Sequence, residues 1–151
     1  MGIIIETEGE FAGWAKFDSA RPGANTFDAL IGPFYFREEA DGRMRGAFRA
    51  EQKHMNMGGR MHGGCLMTFA DIALFQIAYR EMEGASGVTV QLDSTFIDAG
   101  RVGDLIEATG EIVRAGGTLI FVRGQITCED RTLLTFSGVI RKMKPRGQPT
   151  F

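Results

Sequence analysis

The chain has 151 residues, 44% of them hydrophobic and 24% charged, which favours one globular domain and argues against disorder. Its formal charge of -2 lacks the basic excess of a nucleic-acid binder, and no apolar run approaches the ~18 residues of a membrane helix. Glycine is in excess at 21 residues, but without the Gly-X-Y period of collagen.

In chain order, the start MGIIIETEGE has no basic n-region and turns acidic at once, unlike a secretory signal. Phe11, Trp14, Ala15 and Phe17 are spaced for a short amphipathic helix within Glu8 to Ser19. Ala20 to Asn25 is a break rich in turn residues, and Thr26 to Ile31 is a helical turn stopped by Gly32-Pro33. Phe34 to Phe36 opens an aromatic strand, and Ala40-Asp41-Gly42 is a turn. Met44, Gly46, Phe48 and Ala50 then alternate with Arg43, Arg45, Ala47 and Arg49 as a half-exposed strand.

Leu66, Phe69, Ala70, Ala73, Leu74, Ile77 and Ala78 recur at helical spacing, and Met67, Ile72 and Phe75 fall on the opposite side. A helix apolar nearly all round is expected to be buried nearly all round. After a stop at Met82-Glu83-Gly84, the pattern changes to strands. Val88, Val90 and Leu92 alternate with Thr89, Gln91 and Asp93. Further strands are expected at about 104–114, 118–128 and 132–142, with turns at Gly116-Gly117 and Glu129-Asp130-Arg131. Together these give an α+β domain, mostly an antiparallel meander, whose sheet wraps the long helix. Gly46, Gly110, Gly124 and Gly138 fall inside strands, where they let the sheet curve.

Few residues are placed for chemistry. His62-Gly63-Gly64 precedes the long helix, where free N–H groups and the positive dipole end meet a surface that glycines leave open. That suits a carbonyl or oxyanion. A phosphate would also fit, but no Walker-type lysine follows. Asp71 sits inside the apolar helix, where a carboxylate is costly unless bonded. It is either satisfied by Thr68 or a neighbouring strand, or it is a general base or nucleophile. Cys65 at a helix N-terminus near His62 could be a nucleophile, but free cysteine is more often a small core hydrophobe. His54 and His62 lack a ligand cluster, so no metal site is expected. Cys65 and Cys128 show no framework spacing, so a reduced cytoplasmic protein is expected. The basic cluster Arg141, Lys142, Lys144 and Arg146 reads first as a solubilising tail.

Asn56, five residues, His62-Gly63-Gly64, six residues and Asp71 (NMGGRMHGGCLMTFAD) resemble the hotdog-fold thioesterases of the phenylacetyl-CoA thioesterase subfamily. The stretch GVTVQLDSTFIDAGRVGDLIEATGEIVRAGGTLIFVRGQI is similar to the family's strand block. The resemblance implies one hotdog domain over residues 1–151, with an N-terminal helical extension at 1–32 and the core at 33–144. It implies that Gly63 N–H and the Asn56 side chain polarise a thioester carbonyl. Asp71 would activate water or attack directly, Thr89 would hold the water, and His62 would orient the loop and substrate. Gly64 would help receive the substrate, with Arg114, Gly116 and Thr118 near the coenzyme A phosphates. Met55, Met57, Met61 and Phe75 suggest an adaptable acyl pocket.

The implied substrate is an acyl-coenzyme A, with no separate cofactor. A thioester-binding protein without hydrolysis, or a hotdog hydratase, is the alternative. Gly63 and Asp71 are eight residues apart, about 12 Å along a helix. A carbonyl, a water and its base span roughly 6–7 Å. The site is therefore expected to be shared across a two-fold axis, in line with the dimer, often paired into a tetramer, that the resemblance implies.

Overall fold

The computed structural model describes residues 2–18 and 25–143. Most of the break expected at Ala20–Asn25 lies outside them, as do Lys144 and Arg146 of the basic cluster. Among the described residues, eight strands form one antiparallel sheet. They are β1 (Ile3–Ile5), β2 (Ala15–Phe17), β3 (Tyr35–Glu38), β4 (Met44–Arg49), β5 (Gly87–Phe96), β6 (Leu105–Ala115), β7 (Leu119–Cys128) and β8 (Arg131–Lys142). The helices are α1 (Phe27–Ile31) and α2 (Gly63–Ile77). The sheet order is β1-β2-β3-β4-β6-β7-β8-β5. The meander expected downstream of the helix holds for β6, β7 and β8, whereas β5 pairs with β8 and not with β6. The 97–104 connection carries the chain from one edge back to the strand beside β4.

The sheet wraps α2, as the α+β reading requires. Leu66, Phe69, Ala70, Ala73 and Leu74 on the helix meet Ile106, Ile120, Ile126, Leu134 and Ile140 on the strands in one core. Phe34, Phe48 and Phe69 interlock there, with Phe34 stacked on Phe69 and Phe48 edge-on to both. The other side of α2 is less covered than expected. Met67, Asp71, Ile72 and Phe75 are only half-buried, so an apolar stripe containing a carboxylate is left partly open.

The N-terminal segment corrects the sequence reading. No helix forms over Glu8 to Asp18, and the extension expected to be helical contains the β1–β2 hairpin, with α1 as its only helix among the described residues. Gly9 and Gly13 adopt φ of +73° and +85°, which a right-handed helix does not use. The Phe11 and Trp14 spacing serves a turn instead: Trp14 N–H donates to Phe11 O, and the two rings meet edge-on. Phe11 also stacks on Tyr35 with centroids 4.3 Å apart. Phe11 and Trp14 cover Ala47 completely (0% exposed), so β4 is buried where its alternation suggested exposure. The extension is part of the sheet, because β2 pairs with β3.

Gly46, Gly110 and Gly138 give α2 its seat, because a Cβ on each would meet Gln76, Ile77 or Leu74 of the helix, whereas Gly124 makes room within the sheet itself. Gly124 lies opposite Gly110 on β6. A Cβ at Gly124 would stand 2.4 Å from Thr109 O and 2.7 Å from Phe136 Cζ. The first of these is backbone and cannot swing aside. Gly124→Ala is expected to cost about 1–3 kcal/mol by overpacking and to lower Tm by roughly 2–12 °C, read by calorimetry.

Candidate active site

The loop before α2 is tied back on itself. Met55 and Met61 form a β-bridge, Asn56 N–H donates to Arg60 O at 2.7 Å, and His62 N–H donates to His54 O at 2.9 Å. Asn56 and the start of α2 therefore share one loop–helix junction. The Asn56 Oδ1 accepts from the Gly58 and Arg60 backbone N–H groups at 2.9 and 3.2 Å. Among the described residues this leaves the Asn56 NH2 as the donor free to meet a ligand oxygen.

His62 is the N-cap of α2. Its Nδ1 accepts from Gly64 N–H at 2.8 Å, and its carbonyl accepts from Cys65 N–H at 2.9 Å. The cap explains Gly64, because a Cβ there would stand 2.9 Å from His62 Nδ1. Gly64 N–H is thus engaged by its own cap. Among the described residues, nothing accepts from the Gly63 N–H. This donor alone is left for an incoming oxygen at the positive end of the helix. The Phe96 ring lies over Gly63, where a Cβ would be 3.2 Å from it. The sequence gives no sign of that contact, since Phe96 closes β5 thirty-three residues away.

Two turns further along α2, Asp71 is half-buried. Its Oδ1 accepts from Thr89 Oγ1 at 2.5 Å, leaving Oδ2 without a partner among the described residues. Thr68 does not satisfy Asp71; its hydroxyl donates to Gly64 O. The strand places Thr89 through a bulge. The β5–β8 register shifts between Thr89 and Gln91, so Thr89 faces the helix before the bulge and Leu92 faces it after. Val88 and Val90 consequently point outward, 46% and 53% exposed. Simple alternation put Val88, Val90 and Leu92 on one face; the bulge breaks that.

A cleft of about 670 Å³ opens on Asp71, with Ile72, Phe75, Phe17 and Phe34 among its walls. Phe75, expected from the sequence to line an acyl pocket, is among the residues lining this cleft. Met61 is not: it is 3% exposed and packed in the main core. Met55 packs against that core and Met57 is exposed at the loop tip. Cys65 is also buried, and burial pushes its thiol up to about 11, with the Lys53 charge opposing weakly. That is the wrong direction for a nucleophile at neutral pH. His54 is a core histidine. Its Nδ1 accepts from Glu51 N–H, and its Nε2 lies 2.7 Å from Ile31 O.

Arg114 is exposed beside the β6–β7 turn of Gly116 and Thr118. Gly116 N–H donates to Leu119 O, and Thr118 O accepts from Lys142 N–H. Arg141 pairs with Leu119, and its neighbour Ile140 pairs with Thr89. The cationic turn and Asp71 thus occupy the same end of the sheet.

The thioesterase superfamily profile matches residues 58–135, more than half of the chain. The chain belongs to the thioesterase superfamily. A Pseudomonas aeruginosa protein named as an esterase is 34% identical over 73% of this chain and 83% of its own. Human acyl-coenzyme A thioesterase 13 is 27% identical over 69% of this chain and 74% of its own. The crystal structure of the Bacillus halodurans protein BH2602 with CoA superposes with a TM-score of 0.69 and 26% identity, covering 83% of each chain. The protein is a hotdog-fold thioester hydrolase. No helix among the described residues is long and apolar enough to cross a membrane.

Proposed function

We propose that this thioesterase hydrolyses acyl-coenzyme A to the free acid and coenzyme A, with coenzyme A part of the substrate and no separate cofactor in the reaction. One observation carries the reading. The Asp71–Thr89 pair stands at a cleft on one stretch of α2, and a free Gly63 N–H stands at the beginning of the same helix. Asp71 Oδ2 takes a proton from water. The water oxygen bonds to the thioester carbon, and the developing oxyanion is held by Gly63 N–H and the Asn56 NH2. Collapse breaks the carbon–sulfur bond, and the thiolate leaves with the proton that Asp71 returns. Thr89 spends its hydroxyl proton on Asp71, which fixes the carboxylate; its oxygen can still accept from the water. His62 holds the junction by capping α2.

α2 is unbroken from Gly63 to Ile77, so the donor and the base of one chain are about 12 Å apart along its axis. The site is shared between two copies. Support comes from β5, which among the described residues is an edge strand and carries exposed Val88 and Val90, and from the half-open Met67, Ile72 and Phe75 stripe. A homodimer, pairing again to a tetramer, would cover both. Arg114 with Gly116 and Thr118, and Arg141 nearby, receive the coenzyme A phosphates at the Asp71 end. The relatives named for acyl-coenzyme A and the CoA-bound neighbour support this substrate class.

The test is thiol release from acetyl-, hexanoyl-, decanoyl- and phenylacetyl-CoA, followed with a thiol-reactive dye. Release from at least one is expected. Binding without release would make the chain a thioester-binding protein, and no release or binding would overturn the proposal.

A further inference from the structure

We propose that the N-terminal hairpin and α1 form the acyl-recognition wall of the Asp71 cleft, and that this wall favours an uncharged apolar acyl group over one ending in a carboxylate. The chemistry at Asp71 rests on the hydrolase reading above; the wall itself rests on its geometry.

The matched family region begins at residue 58. Eight of the twelve described residues lining the cleft precede it. Ile4 comes from β1, Lys16 and Phe17 from β2, Asp28 and Ala29 from α1, and Phe34 from the entry to β3. These elements are anchored. Glu6 N–H donates to Trp14 O and Gly13 N–H to Glu6 O, closing the hairpin at 2.8 Å each. Phe17 packs on Phe36, centroids 4.9 Å apart. At the other side, Thr26 caps α1 through Ala29 N–H. The α1 end is clamped by Lys53 Nζ, 2.6 Å from Gly32 O, and by His54 at Ile31 O. A wall held by both ends is a preformed surface, which is how small-molecule sites select shape.

Its chemistry is apolar with a negative bias. Phe17, Phe34, Ile72 and Phe75 offer aromatic and branched surface. Among the described residues of the wall the one cation, Lys16, is already paired with Glu6 at 2.8 Å. Asp28 and Asp71 have no ion-pair partner among the described residues. Asp18 also lines the cleft, so a second carboxylate on the acyl tail would enter a partly solvated cleft beside carboxylates of its own sign, which disfavours it.

The experiment compares kcat/KM for acetyl-CoA, decanoyl-CoA and its ω-carboxy counterpart sebacoyl-CoA, in the full chain and in Phe17→Ala and Asp28→Lys. Calorimetry with the non-hydrolysable thioether analogue of decanoyl-CoA gives a second readout, and melting curves confirm that each variant is folded. Phe17→Ala is expected to lower the decanoyl-to-acetyl preference about tenfold, the worth of part of a buried aromatic ring, and to weaken the thioether by a similar factor. Asp28→Lys, on an exposed residue, is expected to raise the sebacoyl-to-decanoyl ratio at least about fivefold, for a swing of two charges at a partly solvated site. Unchanged preferences in both variants would overturn the wall. If no chain releases thiol, the hydrolase reading fails, and the thioether titration still decides: tenfold weaker binding to Phe17→Ala supports the wall, and equal or absent binding overturns it.

Discussion

Asp71→Asn should lower kcat for the best acyl-coenzyme A by a factor of about 10²–10⁴, the usual worth of a positioned general base, with little change in KM. The substitution is nearly isosteric. An Asn at 71 can still accept the Thr89 hydroxyl proton through its carbonyl oxygen, so the bond that joins α2 to β5 survives. What it loses is the second carboxylate oxygen, which here has no partner and is the atom that must take the proton. Stability should hardly move, because the residue is half-buried and its partner is kept. Stopped thiol-release assays and a melting curve on the same preparation check both halves. Activity that survives in Asp71→Asn would remove this residue from the chemistry. A collapse of Tm would mean that the carboxylate serves the fold.

The parts of the site that lay open in the sequence are those fixed by local geometry. Asn56, His62, Gly63 and Asp71 sit on one short loop and one helix, so their spacing alone predicts their relations, and the helix N-terminus dictates what its free N–H can do. The parts that stayed hidden depend on contacts between distant segments. The β5 bulge moves Thr89 onto the helix side and turns Val88 and Val90 outward, yet nothing in GVTVQLDS marks which residue is extra. Ala47 looked exposed because its strand alternates; Phe11 and Trp14, more than thirty residues upstream, bury it together with Tyr35 and Leu105. The spacing of Phe11, Trp14 and Phe17 suited a helix as well as a turn followed by a strand. Gly9 and Gly13 were the visible signal against the helix, and at positive φ they decide it. Met61 was the opposite error. A flexible thioether near the motif invited a pocket role, while the Met55–Met61 bridge turns it into the core.

Mixing two inactive chains should restore activity if the site is shared. Asn56→Ala removes the side-chain donor to the oxyanion, a loss of about 10²–10³ in kcat for one such group, and Asp71→Asn removes the base. In a dimer of one chain of each kind, one site receives Asn56 and Gly63 from the Asp71→Asn chain and Asp71 and Thr89 from the Asn56→Ala chain. That site is intact, and the other carries both lesions. Random exchange puts about half of the dimers in the mixed form with one good site of two, so activity should approach about a quarter of the unmodified protein. Against parents reduced at least a hundredfold, the rise is more than twentyfold, well beyond preparation error. The prediction separates two geometries that otherwise give the same single-variant data. If donor and base act within one chain, each mixed dimer carries two damaged sites and mixing gains nothing. Differently tagged chains, co-expressed, purified through both tags and isolated as dimers apart from any tetramer, give the mixed dimer, and it should then reach about half of full activity. Full recovery is impossible on any shared-site arrangement with two-fold symmetry, so a value near that of the unmodified protein would refute the arrangement as surely as no recovery at all.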